Sequence, residues 1–194
     1  MLEKVAGDSY VHFNPAHQAT FLAQLESQDW SLIAGRFNAA DQGVRDVLGS
    51  CKLFTIVQNP IERFYASYLE ARAVKTHPLH EKYSSMSAIE AAQYCIDEGL
   101  DYGRNSQCQA ISGGEALDAN TALEIGKARF ELIVTTGQTR SLVEYLGKAG
   151  FIQGRRKPAL RLRSSTLRSA DRKALTATLK EAVAEDMRLF KALS

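Results

Sequence analysis

Short apolar runs alternate along this chain with longer stretches in which apolar residues return every three or four positions. The densest run is Leu53-Phe54-Thr55-Ile56-Val57. Five residues rich in β-branched and aromatic side chains predict a buried strand. Gln58-Asn59-Pro60 ends it. Pro60 has no N–H to give a ladder and holds φ near the helical value, so it suits the first turn of a helix. Asn59 is placed to cap that helix with its side-chain oxygen, and Glu62 stands at the capping-box spacing. The helix is expected to continue through Arg63, Phe64, Tyr65, Ser67, Tyr68 and Leu69 and to fade by Lys75. A strand that feeds a helix through such a turn leaves N–H groups and a positive dipole end pointing at the turn, a ready anion site.

The same reading places the other elements. Ser9 to Phe13 predicts a short strand, and Trp30 to Ala34 another that ends at Gly35. Asn14-Pro15 opens a helix through Leu25, and Ala39 to Leu48 forms one closed by Gly49. Residues 79 to 85 are polar and read as a mobile segment after His77-Pro78. Ser87 caps a helix ending at Gly99. Residues 100 to 114 read as a long loop with a helical turn at 106 to 111, and long loops in compact domains are often functional. Leu117 to Arg129 is an amphipathic helix, Glu131 to Thr135 a strand, and Ser141 to Leu146 part of the next helix. Ser169 caps one long final helix with Leu175, Leu179, Val183, Met187 and Phe190 at helical spacing. Strands alternating with helices predict the α/β class, with a short, mainly parallel sheet flanked by helices. Ligands of such sheets bind beyond the carboxyl ends of the strands. Gly35-Arg36 and Gln58-Asn59 both lie at such ends and can share one crevice.

The order of these pieces resembles the carbohydrate sulfotransferase family, in particular its heparan sulfate 2-O-sulfotransferase-like branch. The central segment is similar to the family's strand, Arg-Asp-Pro-x-x-Arg, and helix bearing a Ser and aromatics. Leu32-Ile33-Ala34-Gly35-Arg36-Phe37 resembles the apolar-Gly-His-Phe piece before it. Asn105-Ser106-Gln107 resembles an Asn-x-Gln piece after it. Phe130 to Gly137 with Leu142 to Leu146 is similar to the late strand and helix. Glu185-Asp186-Met187-Arg188-Leu189-Phe190 resembles the terminal helix, where an Asp precedes a Leu-Tyr pair. The resemblance covers roughly residues 30 to 190. It implies a P-loop-like three-layer fold in a single domain over 1–194, with 3′-phosphoadenosine 5′-phosphosulfate as donor and a saccharide hydroxyl as acceptor. It places Gln58, Asn59, Arg63 and Ser67 at the donor and Arg36, Asn105 and Gln107 at the acceptor. It implies no metal.

The departures from the family bear on activity. Where the family holds the donor's 3′-phosphate with an Arg and a Ser eight residues later, this chain has Gln58 and Ala66. Ser67 is one place late, about 100° further round a helix. A Pro-Lys-x-Gly-Thr-Thr-like loop for the 5′-phosphosulfate is absent from the first 50 residues, so donor use requires that the loop lie upstream or that a divergent loop replace it. Arg36 stands where the branch has its His base, and an Arg stays protonated. His12 is then the one imidazole on an expected strand near the crevice, although a lone His there is more often a cap or surface residue. Two readings therefore stand: a sulfotransferase-family enzyme, or a non-catalytic binding protein on the same scaffold for an anionic glycan or protein partner. A transferase with another phosphorylated donor is a third.

Composition narrows the classes further. A length of 194 residues suits one domain, and a net charge of +2 gives no overall bias towards nucleic acid. Three widely spaced cysteines, Cys51, Cys95 and Cys108, form no CxxC pair and read as free thiols. No apolar run approaches ~18 residues, and no signal-peptide h-region opens the chain. A cytoplasmic, bacterial-type member or an isolated domain is expected. Positive charge is concentrated locally in 154–173, where Arg155, Arg156, Lys157, Arg161 and Arg163 lie. That stretch is either a solvated face or a docking surface for an acidic glycan or nucleic acid, and without interleaved aromatics a single-strand binder is not favoured. Arg63 pairs with an anion at the helix start or with a neighbouring Glu. Arg36 grips an acceptor carboxylate or sulfate, or forms a surface ion pair. Tyr65 and Tyr68 read as packing residues, and Asn105 and Gln107 either line the crevice or serve turn chemistry.

Overall fold

A computed structural model describes residues 10–13, 32–35, 52–116, 118–150 and 169–194. Strands β1 (Tyr10–Phe13) and β2 (Leu32–Gly35) run parallel, with Tyr10 opposite Leu32 and Phe13 opposite Gly35. Strands β3 (Leu53–Val57) and β4 (Phe130–Thr135) form a second parallel pair, in register from Phe54 opposite Leu132 to Val57 opposite Thr135. Parallel strands need a long crossover. Between β3 and β4 it consists of α1 (Pro60–Ala73), α2 (His80–Ser84), α3 (Ala88–Asp97), a 3-10 turn (Asp101–Gly103), α4 (Ser106–Ser112) and α5 (Ala119–Arg129). After β4 come α6 (Thr139–Lys148), α7 (Ser169–Leu179) and α8 (Ala184–Leu193). The described residues are mostly helical around small parallel sheets, which is the α/β class in coarse form.

Strand β3 and helix α1 begin and end close to where their residue types put them. Asn59 caps α1, its Oδ1 accepting from the N–H groups of Ile61 (3.0 Å) and Glu62 (3.4 Å). Glu62 turns instead to Arg172, 2.9 Å away. The inward face of α1 carries Ile61, Phe64, Ser67, Tyr68 and Ala71, the spacing of one helical stripe. Against it pack Tyr83, Ala91, Ala92, Cys95, Leu175, Leu179 and Val183.

Three expectations change. Residues 80–84 form α2 and not a mobile segment, because Tyr83 is buried and anchors it. The turn expected at 106 to 111 is a seven-residue helix, closed by Gly113 at φ +69°. The single final helix is two, interrupted at 180–183. Apolar periodicity carried across the break because Val183 remains buried within it.

The β3–β4 pair is covered on both faces. Phe54, Ile56, Leu132 and Val134 meet Leu142 and Leu146 of α6. Val57 and Ile133 meet α4, α5 and Leu189 of α8. The carboxyl end of β3 is thereby left between the starts of α1, α4 and α8, where the corner lies.

Candidate functional site: the strand-to-helix corner

The backbone of Gln58, one residue past β3, is taken up by a side chain from far along the chain. Its N–H donates to Oε1 of Gln107 and its carbonyl accepts from Nε2 of Gln107, each at 2.9 Å. The Gln107 amide so extends the ladder by one rung, as a backbone peptide would. One helical turn further, Arg63 Nη1 donates to Ser106 Oγ at 2.6 Å. The Arg63 guanidinium also lies over the Tyr102 ring, 4.6 Å from its centroid.

Helices α4 and α8 start beside each other here. Asn105 Oδ1 accepts from the N–H groups of Glu185 (2.9 Å) and Asp186 (3.0 Å). Asp186 accepts in turn from the N–H groups of Gln107 (3.0 Å) and Cys108 (2.9 Å). These are orphan donors of two helix termini, each set satisfied by the other helix's flank. Glu185 Oε2 extends the pattern to the start of α5, accepting from Ala119 N–H at 3.0 Å. Burial pushes the Asp186 carboxyl above the usual aspartate range; the N–H groups of Gln107 and Cys108 and the nearby Arg63 charge oppose it. Burial also raises the Cys108 thiol, with the Asp186 charge adding to it, which makes a reactive thiolate there unfavourable.

Gln58, Asn59, Arg63, Asn105 and Gln107 lie around this corner. Their polar groups mostly face one another: Asn59 caps its own helix, Asn105 caps α8, and Gln107 latches Gln58. Ser67 is buried on the inward stripe of α1. His12 is described only through its backbone, opposite Ala34 in the β1–β2 pair. Arg36, Arg155, Arg156, Lys157, Arg161 and Arg163 lie outside the described residues. Tyr102, Ser106 and Asp186 also belong to this cluster, although nothing in the sequence expectations places them there. Asp186 carried a usable signal: an acid on the apolar stripe of a helix, three residues from Val183 and three from Leu189, marks a partnered buried carboxylate.

Among the described residues, no group of three or more His, Cys, Asp or Glu is placed to hold a metal ion, and no helix is long and apolar enough to cross a membrane. Compared with models of known families, with curated proteins and with solved structures, the chain matches none.

Proposed function

We propose that the chain is a sulfotransferase-type protein on a P-loop-like layered scaffold, and that the corner at Gln58-Asn59-Pro60 is its nucleotide end. The reaction class is transfer of a sulfuryl group from 3′-phosphoadenosine 5′-phosphosulfate to a saccharide hydroxyl. One observation carries this reading. The corner, the Asn105-Ser106-Gln107 piece and the terminal-helix Asp186 form one hydrogen-bonded cluster, although the bonded residues are 43 to 81 positions apart. In this reading Arg63 is the cation at the helix start, Arg36 serves the acceptor side, and His12 is the candidate base. Asn105 and Gln107 shape the corner through their internal bonds. The basic 154–173 stretch docks the anionic saccharide.

The grip on the donor is weak on this reading. A hydrogen bond to a charged group contributes ~1.5–3 kcal/mol, so Gln58 and Ala66 in place of Arg and Ser remove a factor of roughly ten to a hundred each at most. Calorimetric titration with 3′-phosphoadenosine 5′-phosphate is therefore expected to give an affinity weaker than ~100 µM, lost in Arg63→Lys. No binding at millimolar nucleotide would overturn the nucleotide assignment. Micromolar binding would overturn the weak-grip argument.

The second reading, a binding protein without donor chemistry, is favoured by one specific feature: the Arg63 guanidinium is already engaged within the fold by Ser106 and the Tyr102 ring. Transfer of labelled sulfate from the donor to a saccharide acceptor separates the two. Turnover supports the enzyme, and glycan binding without turnover supports the binding protein.

A further inference from the structure

Asp186 is fully buried, with both carboxylate oxygens engaged by consecutive N–H groups of α4. A carboxylate is costly to bury, and a neutral residue suffices to cap one N–H. Two oxygens on two successive N–H groups do more than cap. They fix how α4 is rotated about its axis. That rotation aims the side chains of Ser106 and Gln107, and these are the groups that reach the corner. Asn105 secures the other end of the link, because its Oδ1 holds the start of α8, from which Asp186 projects.

Resting on the reading of the corner as an anion site, we propose that Asp186 is a positioning residue: acting through Gln107, which latches the Gln58 backbone, and through Ser106, it fixes the entry to α1 and so the place of the Arg63 guanidinium, the charge that meets the anion. The terminal helix thus sets the affinity of a corner that lies more than a hundred residues earlier in the chain. Gln107 and Asp186 are 79 positions apart, and Gln58 and Gln107 a further 49.

The test is Asp186→Asn in the full chain. An asparagine at this place presents an NH₂ to one of the two N–H groups, so the rotation of α4 is released while volume is kept. Hydrogen exchange at the Gln58 N–H, whose partner is the Gln107 side chain, is expected to accelerate by ~tenfold beyond any rise at core amides of α1 such as Tyr68. A purely structural role raises all amides together, and that uniform rise, or no change at Gln58, overturns the proposal. Affinity for 3′-phosphoadenosine 5′-phosphate is expected to fall by ~3- to 10-fold in parallel. An unaltered affinity beside a released Gln58 also overturns it. If the wild-type chain takes up no nucleotide, the anion reading fails and the proposal resting on it falls with it, while selective exchange at Gln58 still decides whether the structural link exists. Should Asp186→Asn not fold, Asn105→Ala loosens the same link from the α8 side, and selective acceleration at Gln58 decides the case in the same way.

Discussion

Gly126 lies on α5 where the helix crosses both α4 and the sheet. A Cβ there would come within 2.4 Å of Ile111 Cγ2 and 2.9 Å of Ile133 Cδ1. Alanine in a helix interior is favoured over glycine by ~1 kcal/mol. Forcing a methyl group into a packed contact costs ~1–3 kcal/mol. Ile111 is buried and β-branched, so it yields little, and the second effect wins. Gly126→Ala is expected to cost ~1 kcal/mol of stability, read as a lower urea midpoint with an unchanged m-value; a higher midpoint would mean that the isoleucines give way. Nothing about Gly126 in the sequence announces this, because a glycine inside an amphipathic helix shows only a propensity cost. Asp186 differs in this respect, since its place among apolar positions did signal a buried partner, though not which one.

At the scale of elements, local chemistry and distant chemistry can be separated. The strand-to-α1 corner was legible residue by residue: β3 ends at Val57, Asn59 caps, and Pro60 starts the helix. Its cap is local, so Asn59→Ala is expected to cost ~1 kcal/mol of stability, measured by chemical denaturation; a change near zero would mean that the Gln107 latch alone fixes the corner. The α3 start was legible for the same reason, with Ser87 and Glu90 closing a capping box across three residues. Helices α2 and α8 were not. The first is held by burial of Tyr83, whose hydroxyl sits 2.7 Å from Cys95 Sγ. The second begins where Asn105 supplies the cap from 80 positions away. A period of apolar residues runs through such a break without recording it.

Across the whole molecule, the carboxylates divide by sign. Glu90 and Asp118 are held below the usual range by the N–H groups of Ser87 and Thr121, so they stabilise the fold above the ordinary carboxylate range. That contribution is lost as pH falls through their own lowered values. Asp186 is raised by burial, so in the interval above the ordinary aspartate value this carboxyl is more protonated in the folded chain than in the unfolded one. Its contribution is complete below that value and declines as pH rises through the raised one. Urea unfolding between about pH 3 and about pH 7 should show wild-type stability falling relative to Asp186→Asn as pH rises. Parallel curves would show that Asp186 carries no proton linkage. The acid loss from Glu90 and Asp118 should persist in the variant.

The amino-acid sequence by itself determined the short strands, the corner between β3 and α1, the capped start of α3 and the coarse α/β class. These depend on residue type within a few positions: φ limits at proline, capping oxygens, and the period of apolar side chains. Only the tertiary structure decided that Gln107 completes the β3 ladder, that Asn105 and Asp186 exchange caps between α4 and α8, and that Arg63 meets Ser106 and Tyr102. Those contacts join residues brought together by chain closure, and a side-chain amide or carboxylate carries no mark in the sequence of which backbone it will meet.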